Sequence, residues 1–197
     1  MAIREKIGLF GGSFDPIHTG HMILAQRAMD FVSLDRVYFI PTANPPHKNN
    51  EALSDYKLRK EMVQLAIKDN KKFEISLFEE REEISFTYQS VLFFKEKGYS
   101  QDQLHLLIGS DSLADIPGWK NPEVIYDNTT IVSMPRPGHS AERVAEDAAL
   151  IVLTSGRNTI SSSEIRRLVS KGDSVRYLVP REVELFIKRN SLYKHGR

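Results

Sequence analysis

An alternation of two periodicities constrains this chain more than any other feature. Short runs rich in β-branched and aromatic residues, at 6–10, 36–40, 73–78, 104–108, 129–133 and 150–153, read as strands. Between the early runs, Met22, Ala25, Met29 and Val32, then Leu58, Met62, Leu65 and Ala66, recur at helical spacing. The strand runs are too apolar for a sheet with one wet face, which calls for parallel strands joined by crossover helices. The expected fold class is α/β, a doubly wound, mostly parallel open sheet, whose ligands bind outside the carboxyl ends of its strands.

The tail departs from this pattern. Ser161, Ser162, Ser163 and Glu164 ahead of Ile165, Leu168 and Val169 read as a capped helix, and Pro180 opens another containing Val183, Phe186 and Ile187. We expect a single domain over 1–197 with a helical C-terminal subregion at about 160–197. Residues 42–54, containing Asn-Pro-Pro-His-Lys-Asn-Asn, lack periodicity and are expected to form a mobile polar loop.

Charge and cysteine content narrow the chemistry. Lys and Arg total 27 against 26 Asp and Glu, a net charge of +1, so no basic excess points to nucleic acid or a membrane surface. An anion site must be local. With no cysteine, disulfides, thiolate-bound zinc and a thiol nucleophile are excluded. Met-Ala-Ile-Arg-Glu-Lys leads straight into the first strand run, and no apolar stretch approaches the roughly 20 residues of a membrane span. A cytoplasmic location is the expectation, and a homo-oligomer is compatible with the chain.

Residues 8–21, GLFGGSFDPIHTGH, hold the densest chemistry. The first strand is expected to end near Phe10, leaving Gly11 and Gly12 in a turn where a ligand can approach the backbone closely. Neither the G-x-G-x-x-G fingerprint nor the G-x-x-x-x-G-K-[ST] loop is present. His18 and His21, spaced by three, open the next helix on one face, where free N–H groups carry partial positive charge. That arrangement suits an anion. Metal ligation lacks a third partner and the H-E-x-x-H pattern, and a plain capping role for one histidine stands as the alternative.

The stretch Gly11-Gly12-Ser13-Phe14-Asp15-Pro16-Ile17-His18-Thr19-Gly20-His21 resembles the signature of the nucleotidyltransferase superfamily that carries the H-x-G-H element. Pro45-Pro46-His47-Lys48, Gly109-Ser110-Asp111, Trp119, Arg136-Pro137-Gly138 and Ile160-Ser161-Ser162-Ser163-Glu164-Ile165-Arg166 follow in the order of the bacterial nicotinate-mononucleotide adenylyltransferases. Ser13 and Ser163 stand where that family often has threonine, and both keep a hydroxyl.

The resemblance implies a Rossmann-like nucleotidyltransferase fold and attack by the phosphate of nicotinate mononucleotide on the α-phosphorus of ATP. His18, His21 and Arg166 are the implied catalytic residues. With Gly11, Gly12, Ser13, Phe14, Gly109, Asp111, Arg136, Ser161 and Ser162, they form the implied ATP site. Lys48, Thr87, Tyr88 and Trp119 are implied for nicotinate mononucleotide. Several of these have plainer readings: Ser161 with Glu164 fits a capping box, Asp111 a helix cap, and Arg136 a solvated turn. Trp119 could simply pack, and His47 and Lys48 could simply be solvated. No metal cage is evident, so Mg²⁺ is expected to arrive on ATP. Transferases acting on nicotinamide mononucleotide or phosphopantetheine share the H-x-G-H element and remain the alternative.

Overall fold

The computed structural model describes residues 5–43, 53–81, 86–134, 148–153 and 159–194. Among the described residues, six strands form one parallel sheet: β1 (Ile7–Gly12), β2 (Arg36–Pro41), β3 (Phe73–Ile75), β4 (Leu104–Gly109), β5 (Thr130–Met134) and β6 (Leu150–Val152). Their order is β3-β2-β1-β4-β5-β6. The helices are α1 (Thr19–Val32), α2 (Tyr56–Ile67), α3 (Thr87–Glu96), α4 (Ser110–Leu113), α5 (Pro122–Asn128), α6 (Ser162–Lys171) and α7 (Arg181–Arg189).

Successive strand residues enter opposite cores, and both are apolar. Leu9, Leu106 and Ile131 pack with α3, α4 and α5, whereas Phe10, Leu107 and Val132 pack with α1, α2, α6 and α7. Burial on both faces is why the strands read as unbroken apolar runs. Phe39 and Met62, each at 0% exposure, contribute about 1.5–3 kcal/mol apiece by leaving water. Among the described residues no helix is long and apolar enough to cross a membrane.

The expected elements are present with three local corrections. β1 runs two residues further than expected, because Gly11 and Gly12 continue the backbone ladder opposite Ile40 and Pro41 rather than turning. β3 stops at Ile75, short of 78, because Phe78 turns away in a 3-10 segment and stacks on Phe93 of α3 with ring centroids 4.5 Å apart. The buried face of α2 is Arg59, Met62, Val63 and Ile67, with Leu58, Leu65 and Ala66 only flanking the core. At the tail, Ser161 caps α6 and Pro180 precedes α7, as expected. The Ser161 hydroxyl accepts from the Glu164 N–H at 3.2 Å, but the Glu164 carboxylate turns to Arg167, so only half of a capping box forms. Residues 44–52, the core of the expected loop, lie outside the described residues.

Candidate active site

The sheet splits beside β1. Pairing of β1 with β4 ends at Leu9 opposite Leu106, while β1 stays paired with β2 to Gly12 and β4 with β5 to Gly109. Between the parted ends, at the point where the strand order reverses, lies a crevice of the kind that α/β sheets use for ligands. It has two chambers, of about 210 and 170 Å³, that share Gly11, Gly12, Ile108, Ser112 and Trp119. Ser13, Phe14, His18, His21, Gly109 and Ser162 line the larger chamber. Leu9, Ile40, Val91 and Leu106 give the smaller one an apolar floor, with Thr87 and Ser90 supplying hydroxyls. A Cβ placed on Gly11 or Gly109 would meet nothing within 4 Å, so these glycines leave open the space that a side chain would take.

Both histidines sit at the opening of α1. His18 is the N-cap residue, 1% exposed, and its ring stacks on that of His21 with centroids 3.6 Å apart. The His18 backbone N–H donates to His21 Nδ1 at 3.1 Å. A nitrogen that accepts carries no proton, so the neutral His21 ring holds its hydrogen on Nε2 as a donor. Phe10 and Phe14 meet the His21 ring edge-on at 5.7 and 5.1 Å, which fixes its plane. Phe14 reaches that contact with a left-handed φ of 48°, and a Cβ on Gly12 would come within 3.2 Å of its ring.

The start of α6 is stitched to the loop that precedes α1. Ser162 Oγ donates to the Pro16 carbonyl at 2.9 Å, and Arg166 donates to the Asp15 carbonyl at 2.8 Å and to Ser163 Oγ at 3.3 Å. Two helix N-termini, each with the positive end of its dipole, are thereby drawn to one rim. The Asp15 carboxylate, 2% exposed, faces inward, accepting from Tyr193 OH at 2.6 Å and from the Ser54 N–H at 3.2 Å. Burial, reinforced by that carboxylate, pushes the Tyr193 phenol above its ordinary pKa range.

The expected site residues divide into groups. Gly11, Gly12, Ser13, Phe14, His18, His21, Gly109, Ser162, Thr87 and Trp119 line the crevice. Ser161 is occupied as a cap, Arg166 reaches the Asp15 carbonyl, and Tyr88 packs against the apolar cluster. Asp111 is described through its backbone, in α4 directly beyond β4, and Lys48, His47 and Arg136 lie outside the described residues. Sequence reasoning missed Ser112 and Ser90, which face the crevice from the first turns of α4 and α3. The signal for Ser112 was its place one residue past Gly-Ser-Asp. Among the described residues no group of three or more His, Cys, Asp or Glu side chains could hold a metal ion.

A parallel sheet in this order, split beside two stacked imidazoles at a helix start, places a ligand crevice at the carboxyl ends of β1 and β4. The sequence profile of the Cytidylyltransferase-like family matches residues 9–168. The "Probable nicotinate-nucleotide adenylyltransferase" of Thermus thermophilus is 40% identical over 190 residues, 96% of this chain and 100% of that protein. The protein of the same name from Clostridium tetani is 35% identical over 200 residues, covering 96% and 100%. In fold, the chain is similar to Plasmodium falciparum nicotinic acid mononucleotide adenylyltransferase complexed with NaAD, with TM-score 0.81 at 21% identity over 96% of this chain and 98% of that one. The chain belongs to the Cytidylyltransferase-like family and, within it, to the nicotinate-nucleotide adenylyltransferases.

Proposed function

We propose that the crevice binds ATP and nicotinate mononucleotide together and transfers the adenylyl group, giving nicotinate adenine dinucleotide and pyrophosphate in NAD synthesis. One observation carries this reading: a chamber lined by His18, His21, Ser13 and Ser162 and a smaller one floored by Leu9, Ile40, Val91 and Leu106 meet at Gly11, Gly12 and the lone tryptophan. A triphosphate suits the first and a pyridine ring the second.

An oxygen of the mononucleotide phosphate bonds to the α-phosphorus of ATP as the bond to the bridging oxygen breaks and pyrophosphate leaves. A phosphate monoester has its second pKa near 6, so the nucleophile is already a dianion at neutral pH and needs no general base. The work is alignment and neutralisation of growing charge on the leaving group. His21 Nε2–H is the donor for the α-phosphate, and His18 stacks behind it. Ser161, Ser162 and Arg166 at the start of α6 serve the outer phosphates, with Asp111 and Arg136 on the adenosine side. Trp119 offers its face to the pyridine ring, Thr87 and Tyr88 offer amides to its carboxylate, and Lys48 closes on the phosphates. Mg²⁺ comes with ATP and offsets triphosphate charge, since Mg²⁺ commonly binds through substrate phosphates.

The test is pyrophosphate release from ATP with each candidate acceptor. Nicotinate mononucleotide is expected to be used best. Release with nicotinamide mononucleotide or phosphopantetheine but not with the nicotinate form would sink the reading.

A further inference from the structure

Arg59 is a charged residue in the middle of a core. It is 2% exposed, on the same face of α2 as Met62, Val63 and Ile67, and none of the chemistry above uses it. Its guanidinium donates to four backbone carbonyls: Nε to Ser54 at 2.9 Å, Nη1 to Ser13 at 2.7 Å and Thr42 at 2.8 Å, and Nη2 to Ala43 at 3.3 Å. Burial works against this charge, and the Asp15 carboxylate is the first of the groups that offset it. A planar fork of five N–H donors can satisfy such a set, whereas an ammonium cannot reach it with one geometry.

The four acceptors come from three places that matter to the crevice. Ser13 ends the Gly11–Gly12 segment, Thr42 and Ala43 leave β2, and Ser54 leads into α2. Thr42 N–H also donates to the Gly12 carbonyl at 2.9 Å, extending the β1–β2 ladder by one rung. On the other side of β1, pairing with β4 has already stopped at Leu9. The end of β1 is therefore tied on one side and open on the other, and the tie converges on a single side chain. Ala43 and Ser54 also bracket residues 44–52, the stretch that carries Lys48.

We propose that Arg59 is a positioning residue for adenylyl transfer: its guanidinium pins the end of β1 to β2 and gathers both ends of the 42–54 crossover. The crevice then opens only toward β4, with Gly11, Gly12 and Ser13 at a fixed height beneath His18 and His21. The kinetic part of this inference rests on the proposed reaction, and the part about backbone anchoring does not.

Arg59→Lys and Arg59→Ala separate the possibilities, measured where circular dichroism shows them folded. In Arg59→Lys, hydrogen exchange at the Thr42 amide is expected to quicken at least about tenfold, while amides of β4 and β5 stay within about twofold. Per folded molecule, kcat/KM for ATP should fall roughly ten- to a hundredfold, since displacement of a positioned group by about 1 Å carries costs of that size. Millimolar guanidinium should restore part of the activity of Arg59→Ala, and methylammonium should not. A defect of stability alone would not respond that way. Wild-type exchange and kinetics in Arg59→Lys, or activity that merely tracks the folded fraction, would overturn the proposal. If neither variant folds, native-state exchange of the wild type decides: the Thr42 and Ser54 amides must open together, and independent opening overturns it. Wild-type protein that releases no pyrophosphate sinks the reaction and leaves the exchange result to judge the anchor.

Discussion

At the amino end of the sheet, charges answer charges. Arg36 pairs with Glu5 and Glu74, Tyr99 OH donates to Glu5, and the Lys6 backbone N–H donates to the Asp35 carboxylate while the Asp35 N–H donates to the Lys6 carbonyl, both at 2.8 Å. At the carboxyl end, imidazoles, hydroxyls and glycines face open space instead. The difference follows from the fold. In a parallel sheet every crossover helix begins at the carboxyl end, so the positive ends of their dipoles gather there. Binding chemistry concentrates at that edge, and the opposite edge is left to hold the strands in register.

This contrast can be broken most sharply at His21. His21→Ala should lower kcat by about 10²–10³, the scale of losing one aligned donor. Loss of its cap to the His18 amide costs about 1 kcal/mol, so the melting temperature should fall by only about 2–4 °C. Activity within a fewfold of wild type would show that the imidazole edge is a bystander. Gly11→Ala comes next: the added methyl meets no protein atom, so stability should hold or rise slightly, while kcat/KM falls about tenfold or more because the methyl stands where substrate must pass. Unchanged kinetics would mean that the open space is not used.

Trp119, at the junction of the two chambers, sharpens the reading of the carboxyl end. As the only tryptophan it reports on itself, and saturating nicotinate mononucleotide should quench its fluorescence. Trp119→Leu should raise KM for that substrate about three- to tenfold, matching about 0.5–1.5 kcal/mol of aromatic contact. No quenching at saturation would assign the ring to packing.

The smallest effect belongs to the amino end. His105 is 4% exposed in β4, and burial lowers its pKa below the ordinary value. The unfolded chain therefore binds the proton first as pH falls below about 6.5, and stability drops across that window. Denaturation midpoints compared between pH 7.5 and 5.5 should decline less in His105→Gln than in wild type, with kcat at pH 7.5 the same in both. An equal decline would remove His105 as the cause. A changed kcat would erase the division between the two ends.

Much of the site could be read locally. His18 and His21 at a helix start and Ser161 as a cap followed from short-range spacing, whereas Gly11 and Gly12 proved to be the last rungs of β1 and not a turn. What escaped was any residue whose role depends on partners far along the chain. Arg59, next to Leu58 in the helical run, carried no local signal, because helical spacing says which residues share a face and not how that face is turned. Nothing in the neighbourhood of Asp15 announced its partner Tyr193, 178 positions away. Ser90 was invisible for the same reason: a hydroxyl on a helix has no meaning until the cavity it faces exists.

The sequence by itself determined the α/β class, the run of strands and helices and the polar chemistry of the first turn of α1. Those depend on hydrophobic period and capping, which act within a few residues. Only the tertiary structure decided that β1 lies between β2 and β4, that the sheet parts beyond Leu9, and that Arg59 turns inward to hold the closed side. These outcomes are set by long-range pairing and by where a buried charge can find acceptors, and no local pattern carries that information.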